Sequence, residues 1–385
     1  MRDYCNRDRG RLHAILVAGL LFGTAHILSV SAGAAEIRIQ GSGIRPQLFF
    51  ACDGDDGPVQ TLFTDPAVIP ALQDLHAGVA LALPDLSSRR AEVVRRLNAA
   101  GVPVIAWLAL PPEQGYYMNA GNAAQAAVRF TDFQKWTAEY GLRWSAVGLD
   151  IEPNLRDFST AKKGSAGSVI ATMVRRYFDA GRVTSARQAY SDLIRRIQAS
   201  GYRVQTYQFP LIADERKVHS TLLERISGIV DVRGDDEVLM LYSSFSHGAG
   251  AALVWKYGPD AQTIAVGVTS GDPQPGFVPL NWDAFSKDLL VASHFTRTVG
   301  VYNLEGCVRR GFLTRLKTFD WSGRVSLRAD SVSRVNRLRF LIQSALRTAP
   351  LVPYIFGVIL AAVIWFMWRR RRGRRQIRKS AHLSA

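Results

Sequence analysis

From Ile37 to Trp321 the chain repeats one unit: a short apolar run, a turn, then a longer segment with apolar residues at helical spacing. Eight apolar runs read as strands, at 46–53, 78–85, 102–110, 146–153, 203–211, 238–245, 263–270 and 298–306. Helical stretches such as RRAEVVRRLNAAG, AAVRFTDFQKWTAEYG, SARQAYSDLIRRIQASG, STLLERISGIV, NWDAFSKDLLVASHF and RRGFLTRLKTF fall between them, and several end in glycine ahead of the next strand. Eight such units in about 285 residues match a closed (β/α)8 TIM barrel over residues 36–321. An open doubly wound sheet is the competing arrangement, but no G-x-G-x-x-G phosphate loop follows the first strand. The segment between Asn154 and Ser185 exceeds an ordinary loop, and within it SAGSVIATMVRRYFDAG reads as an extra helix overhanging the strand ends.

The two ends carry a different pattern. Residues 1–35 combine a basic start, an apolar stretch and small residues at Ala32 and Ala34, or Gly33 and Ala35, as a signal peptide does; an uncleaved anchor is the alternative. Residues 322–349, rich in Ser and Arg, read as a juxtamembrane stalk ending in an amphipathic helix. Leu351 to Trp368 is uncharged over 18 residues, so 350–368 is expected to be a single C-terminal transmembrane helix. Residues 369–385 form a basic tail, which the positive-inside rule places in the cytoplasm. The expected location is therefore the cell membrane, single-pass, with the barrel extracytoplasmic, and periplasmic in a Gram-negative cell.

Charge changes the picture less than its total suggests. Of the net +16, eight positives lie between Arg369 and Lys379 and two net positives in the first 35 residues, which leaves +6 for the middle. No basic stripe interleaved with aromatics occurs there, so no nucleic-acid partner is expected. The histidines lack metal-ligand spacing, the DGDD run from Asp53 lacks a calcium loop's full ligand set, and no G-x-S-x-G elbow exists. Neither a metal nor a cofactor is expected. Cys52 ends the first strand and Cys307 follows the eighth, neighbours only if the barrel closes, and a Cys52–Cys307 disulfide is expected in an exported domain; two unrelated buried thiols are the alternative.

In such barrels the chemistry gathers at the C-terminal ends of the strands. The residues there are Asp53 and Asp55 after the first strand, Asp85 after the second, Glu113, Tyr116 and Tyr117 after the third, Asp150 and Glu152 on the fourth, Gln208 on the fifth, Tyr242 on the sixth, and Asn303 and Glu305 on the eighth. Acids and aromatics on one rim suit a sugar: rings cover the apolar faces of pyranoses, while carboxylates bind hydroxyls and transfer protons. Gly148, Asp150 and Glu152 share one face of their strand. Two acids driven into an apolar run cost stability unless a site uses them.

The GLDIEP of the fourth strand, with LMLYSS ending the sixth, resembles the chitinase-like glycoside hydrolases of family 18. That family carries D-x-x-D-x-D-x-E on strand four and Met-x-Tyr-Asp on strand six. The resemblance implies Glu152 as general acid, Asp150 as the residue positioning the substrate acetamido group, and Tyr242 as its support. It is partial: the two earlier aspartates of the motif are Ser145 and Gly148, the aspartate after the tyrosine is Ser243, and the eighth strand lacks the family's tryptophan.

Independently of the family, glycoside hydrolysis requires one acid to protonate the leaving oxygen and a second group to attack or stabilise the anomeric centre. Glu152, nearer the rim, is the expected proton donor and Asp150 its partner; the second group is Glu305, Asp53 or Asp55, or, as the resemblance implies, an N-acetyl oxygen of the substrate oriented by Asp150 and Tyr242. Structural alternatives stand beside each assignment: hydrogen bonds to neighbouring strands for the acids, a core position for Tyr242, an ion pair with Arg309 or Arg310 for Glu305. The expected function is an exported, membrane-anchored glycoside hydrolase acting on a cell-envelope polysaccharide or exopolysaccharide. A non-catalytic glycan-binding or scaffold protein on a degenerate hydrolase barrel is the alternative.

Overall fold

A computed structural model of the chain describes residues 35–153, 166–246, 249–271, 273, 277–351 and 353–354. Its strands run in chain order as β1 (Glu36–Gln40), β2 (Gln47–Cys52), β3 (Gly78–Leu83), β4 (Val104–Leu108), β5 (Ala146–Asp150), β6 (Val204–Gln208), β7 (Asp236–Met240), β8 (Thr263–Gly267), β9 (Thr298–Tyr302) and β10 (Arg324–Arg328). Strands β2 to β9 form a closed parallel barrel in sequence order, sealed where Gln47–Ala51 pairs with Thr298–Tyr302. Each strand overlaps one of the eight apolar runs, though β7 starts two residues ahead of its run and ends at Met240, and the closure removes the open-sheet alternative.

Alternation along each strand sorts the side chains. Leu48, Phe50 and Cys52 join the large apolar cluster under the helices, while Phe49 and Ala51 turn toward the barrel interior. The same split sends Val147 and Leu149 outward and leaves Gly148 and Asp150 inside. Gly148 is tightly covered: a Cβ there would lie 3.0 Å from Cε2 of Tyr207, which crosses the interior beside it and would have to give way by a few tenths of an ångström. The helices bury their apolar stripes on the outward set, as Ala126, Phe130 and Phe133 do from Ala123–Tyr140. Ser87 caps the helix Ser88–Ala99 by accepting from Arg90 N, and Asn281 caps Trp282–Phe295 through Ala284 N.

Two sequence expectations need correction. Residues 322–349 are not a free stalk. Strand β10 pairs antiparallel with β1, and the following helix, Ala329–Thr348, packs along the helices Pro210–Lys217 and Ala251–Tyr257. Arg339 holds it there: Nε donates to Asp214 at 2.8 Å, Nη2 to Asp260 at 2.7 Å, Nη1 to the Lys256 carbonyl, and the guanidinium lies 4.0 Å over the Tyr257 ring. The expected amphipathic helix is present, but its buried face serves the barrel domain.

The Cys52–Cys307 disulfide is not formed. Both thiols are free and buried, Cys52 Sγ donating to Glu305 Oε1 at 3.2 Å and Cys307 Sγ to Thr269 Oγ1 at 3.7 Å. Closure does bring their strands together, but the two side chains engage different neighbours. Residues 1–34, 154–165, nearly all of the apolar segment 350–368, and the tail 369–385 lie outside the described residues. Among the described residues no helix is long and apolar enough to cross a membrane. The extra helix expected after the fourth barrel strand is present as Ala166–Phe178.

Candidate active site

The β5 chain does not end its pairing at Asp150. Met118, in the loop after β4, donates from N to Asp150 O at 3.2 Å and accepts Glu152 N at 2.9 Å, bridging Ile151. This short parallel extension carries Glu152 past the strand end with its backbone fixed, two residues on and therefore on the same face as Asp150. Both side chains are only 3% exposed.

They line one cavity in the mouth of the barrel with Trp107 of β4, Tyr207 of β6, Met240 and Tyr242 from β7 and its end, and Ala51 and Tyr302 on β2 and β9. The rings form two facing pairs. Trp107 and Tyr207 lie 6.1 Å apart between centroids, and Tyr242 and Tyr302 lie 5.5 Å apart, tilted at 37° and 38°. Burial, then the charge of Asp150, then that of Glu152, pushes the Tyr242 hydroxyl far above the ordinary phenol range. Burial followed by the Glu152 charge does the same to Tyr117. These phenols keep their protons beside the two acids and remain hydrogen-bond donors.

A second acidic group closes the β2/β9 seam. Asp53 accepts from the Tyr302 hydroxyl and, at 3.4 Å, from Asn303 Nδ2. Glu305 Oε1 accepts from Cys52 Sγ, Asp53 N and Gly54 N, each at 3.2 Å, while Oε2 is buried without a hydrogen-bond partner. Burial, reinforced by the charge on Asp53, raises the Glu305 carboxyl above the usual range. On the other side of Tyr302, its carbonyl accepts from Thr269 N at 2.9 Å and leaves no space at Gly267. A Cβ on Gly267, whose φ is 155°, would lie 2.3 Å from that oxygen.

The structure brings together Asp150, Glu152 and Tyr242, with Asp53, Asn303 and Glu305 one layer behind Tyr302. Asn303 is turned to its own helix as N-cap, accepting from Gly306 N at 3.1 Å. Tyr116 and Tyr117 make an edge-to-face pair at 4.9 Å and pack behind Trp107 with Ala82 and Ala109. Gln208 is not brought to the cavity: it faces outward, donates from Nε2 to Val230 O at 3.2 Å, and leaves Oε1 buried without a partner. Ser243, which stands where the family has aspartate, donates to Asp288 of the Trp282–Phe295 helix. Asp85, another strand-end acid, pairs with the buried Arg90 at 2.9 Å.

Sequence reasoning missed Trp107, Tyr207 and Tyr302 as cavity walls. Strand parity carried the signal, since Tyr302 shares its face with Thr298 and Gly300, and Tyr207 with Gln205. Among the described residues no group of His, Cys, Asp and Glu is arranged to hold a metal ion.

No protein-family profile matches this chain, and no curated protein matches it. Solved structures with a similar fold include the PgaB (BpsB) glycoside hydrolase domain from Bordetella bronchiseptica, at 11% identity over 71% of this chain and 98% of that one, with a TM-score of 0.43. A 3-keto-D-glucoside 4-epimerase from E. coli gives 13% identity over 71% of this chain and all of that one, with a TM-score of 0.40. A putative α-L-fucosidase from Bacteroides thetaiotaomicron gives 8% identity over 75% and 98% of the two chains, with a TM-score of 0.38. At these values the likeness is one of barrel architecture and carries nothing about chemistry.

Proposed function

We propose that this chain is a glycoside hydrolase acting on a cell-envelope polysaccharide or exopolysaccharide, exported and tethered by its C-terminal apolar segment. The observation that carries the reading is the Asp150–Glu152 pair, buried on one face of β5 and its short extension in a cavity walled by Trp107, Tyr207, Tyr242 and Tyr302. Buried like charges are costly, and aromatic rings around them match the two kinds of surface a sugar presents.

In this reading Glu152 donates its proton to the glycosidic oxygen as the bond to the anomeric carbon breaks. Asp53 and Glu305 are engaged in the seam, and the chitinase-like resemblance supplies the attacking group: the substrate's own acetamido oxygen, oriented by Asp150 and the Tyr242 hydroxyl. The resulting cyclic cation is opened by water, whose proton returns to Glu152. This follows the chitinase-like resemblance, which rests on Asp150, Glu152 and Tyr242 alone. The departures at Ser145, Gly148 and Ser243 favour a second reading, a glycan-binding barrel without turnover. Incubating residues 36–349, wild type and Glu152→Gln, with envelope glycans and detecting new reducing ends by mass spectrometry separates the two. Release by wild type alone supports the hydrolase; retained binding without release supports the binder.

A further inference from the structure

The barrel mouth and the start of the apolar C-terminal segment lie on the same side of the domain. The helix Ala329–Thr348 starts at the far end, where Ala329 N bonds to Ala35 O ahead of β1. Its other end reaches the mouth by a traceable series of contacts. Ala120, two residues beyond Met118, donates to Gly228 O at the end of the helix Leu222–Ser227; Arg225 of that helix donates to Tyr177 O at 2.6 Å; and the Tyr177 hydroxyl donates to Ala349 O at 2.6 Å.

Around this junction the surface is apolar. Met173, Val174 and Phe178 share one face of the helix Ala166–Phe178 with Tyr177, and all three are exposed. Leu351 and Tyr354, the first residues after the Ala349 contact, are also exposed. Arg175, next in sequence to Val174, and Arg347, two residues before Ala349, are exposed as well. Leu351 opens the uncharged run to Trp368, which eight positive charges follow. An apolar stripe flanked by arginines, meeting the start of a bilayer-length apolar segment, fits the interface of a lipid bilayer better than water.

We propose that the face formed by Met173, Val174, Phe178, Leu351 and Tyr354 rests on the surface of a lipid bilayer, so that the barrel mouth opens at the membrane. The substrate is then a glycan presented within reach of the membrane surface. The inference rests on the tether proposed above and adds an orientation to it.

The test uses the full chain with Cys5→Ser, reconstituted in phosphatidylcholine–phosphatidylglycerol bilayers, with a nitroxide at Met173→Cys, Phe178→Cys or Arg38→Cys; Cys52 and Cys307 are buried. Arg38, on β1, reports the opposite end. The expected result is severalfold greater relaxation by oxygen than by a water-soluble nickel chelate at 173 and 178, and the reverse at 38. Aqueous accessibility at all three positions overturns the proposal, as does exclusion of both reagents from 173 and 178, the sign that a second copy of the chain covers this face. A carbonate wash distinguishes the two layers: release from the vesicles sinks the tether itself, whereas retention with water-accessible labels sinks only the docking.

Discussion

Tyr302, the last residue of the closing strand, donates its hydroxyl hydrogen bond to Asp53, just beyond the first barrel strand. One contact thus ties the β2/β9 seam and fixes a ring that walls the candidate site. Tyr302→Phe keeps the ring and removes the donor, leaving Asp53 with a weaker set of partners. The expected loss is about 1.5–3 kcal/mol, the range for a hydrogen bond to a charged group, read from urea unfolding. If the ring also supports a sugar, Tyr302→Ala raises KM more than it lowers kcat, whereas Tyr302→Phe, which keeps the ring, moves stability alone.

Arg339 neutralises Asp214, which has no solvent exposure and also accepts the Tyr257 hydroxyl at 2.5 Å. Arg339→Ala leaves that carboxylate buried without its cation, and the expected cost is about 3–5 kcal/mol. Arg339→Lys does not restore it, because one ammonium cannot reach Asp214, Asp260 and the Lys256 carbonyl together. Denaturant midpoints of the three proteins check both statements.

Asp288 gives the fold a pH dependence with a definite sign. Burial pushes its carboxyl up to about 7, against the lowering effect of the Ser243 hydrogen bond and the Lys287 charge. The native state therefore holds a proton that the unfolded chain has released. This contribution is fully present below the ordinary aspartate range and is lost as pH rises through about 7. Asp288→Asn should remove a slope approaching about 1.4 kcal/mol per pH unit across that window. The variant should match wild type near pH 4 and exceed it at pH 8 in urea midpoint; equal slopes in the two proteins contradict the assignment.

The barrel was legible because both periods are written plainly. Apolar runs of strand length recur eight times, and the residues between them space their apolar positions for helices. Asp150 and Glu152 were legible for the opposite reason, as acids in a run that otherwise wants none. Trp107, Tyr207 and Tyr302 were not, since an aromatic in a strand reads as core until the closed barrel gives its inward face a cavity. The 322–349 segment misled because the charges that bind its helix, Asp214 and Asp260, lie far away in sequence, so its arginines looked solvent-bound. The cysteines misled in a narrower way. Strand adjacency was read correctly, but Cys52 meets Glu305 and Cys307 meets Thr269, and adjacency alone does not aim two sulfurs at each other.

Glu152→Gln tests the central claim most directly, because the amide keeps the side chain's size and removes its proton. Wild type and variant would be compared for release of new reducing ends from an N-acetylated envelope glycan, with near-UV circular dichroism confirming the same fold. The account predicts turnover by wild type and a loss of at least about 100-fold in the variant, the lower end of what a general acid supplies. Equal release by both proteins would contradict it and move the proton donor to another carboxylate.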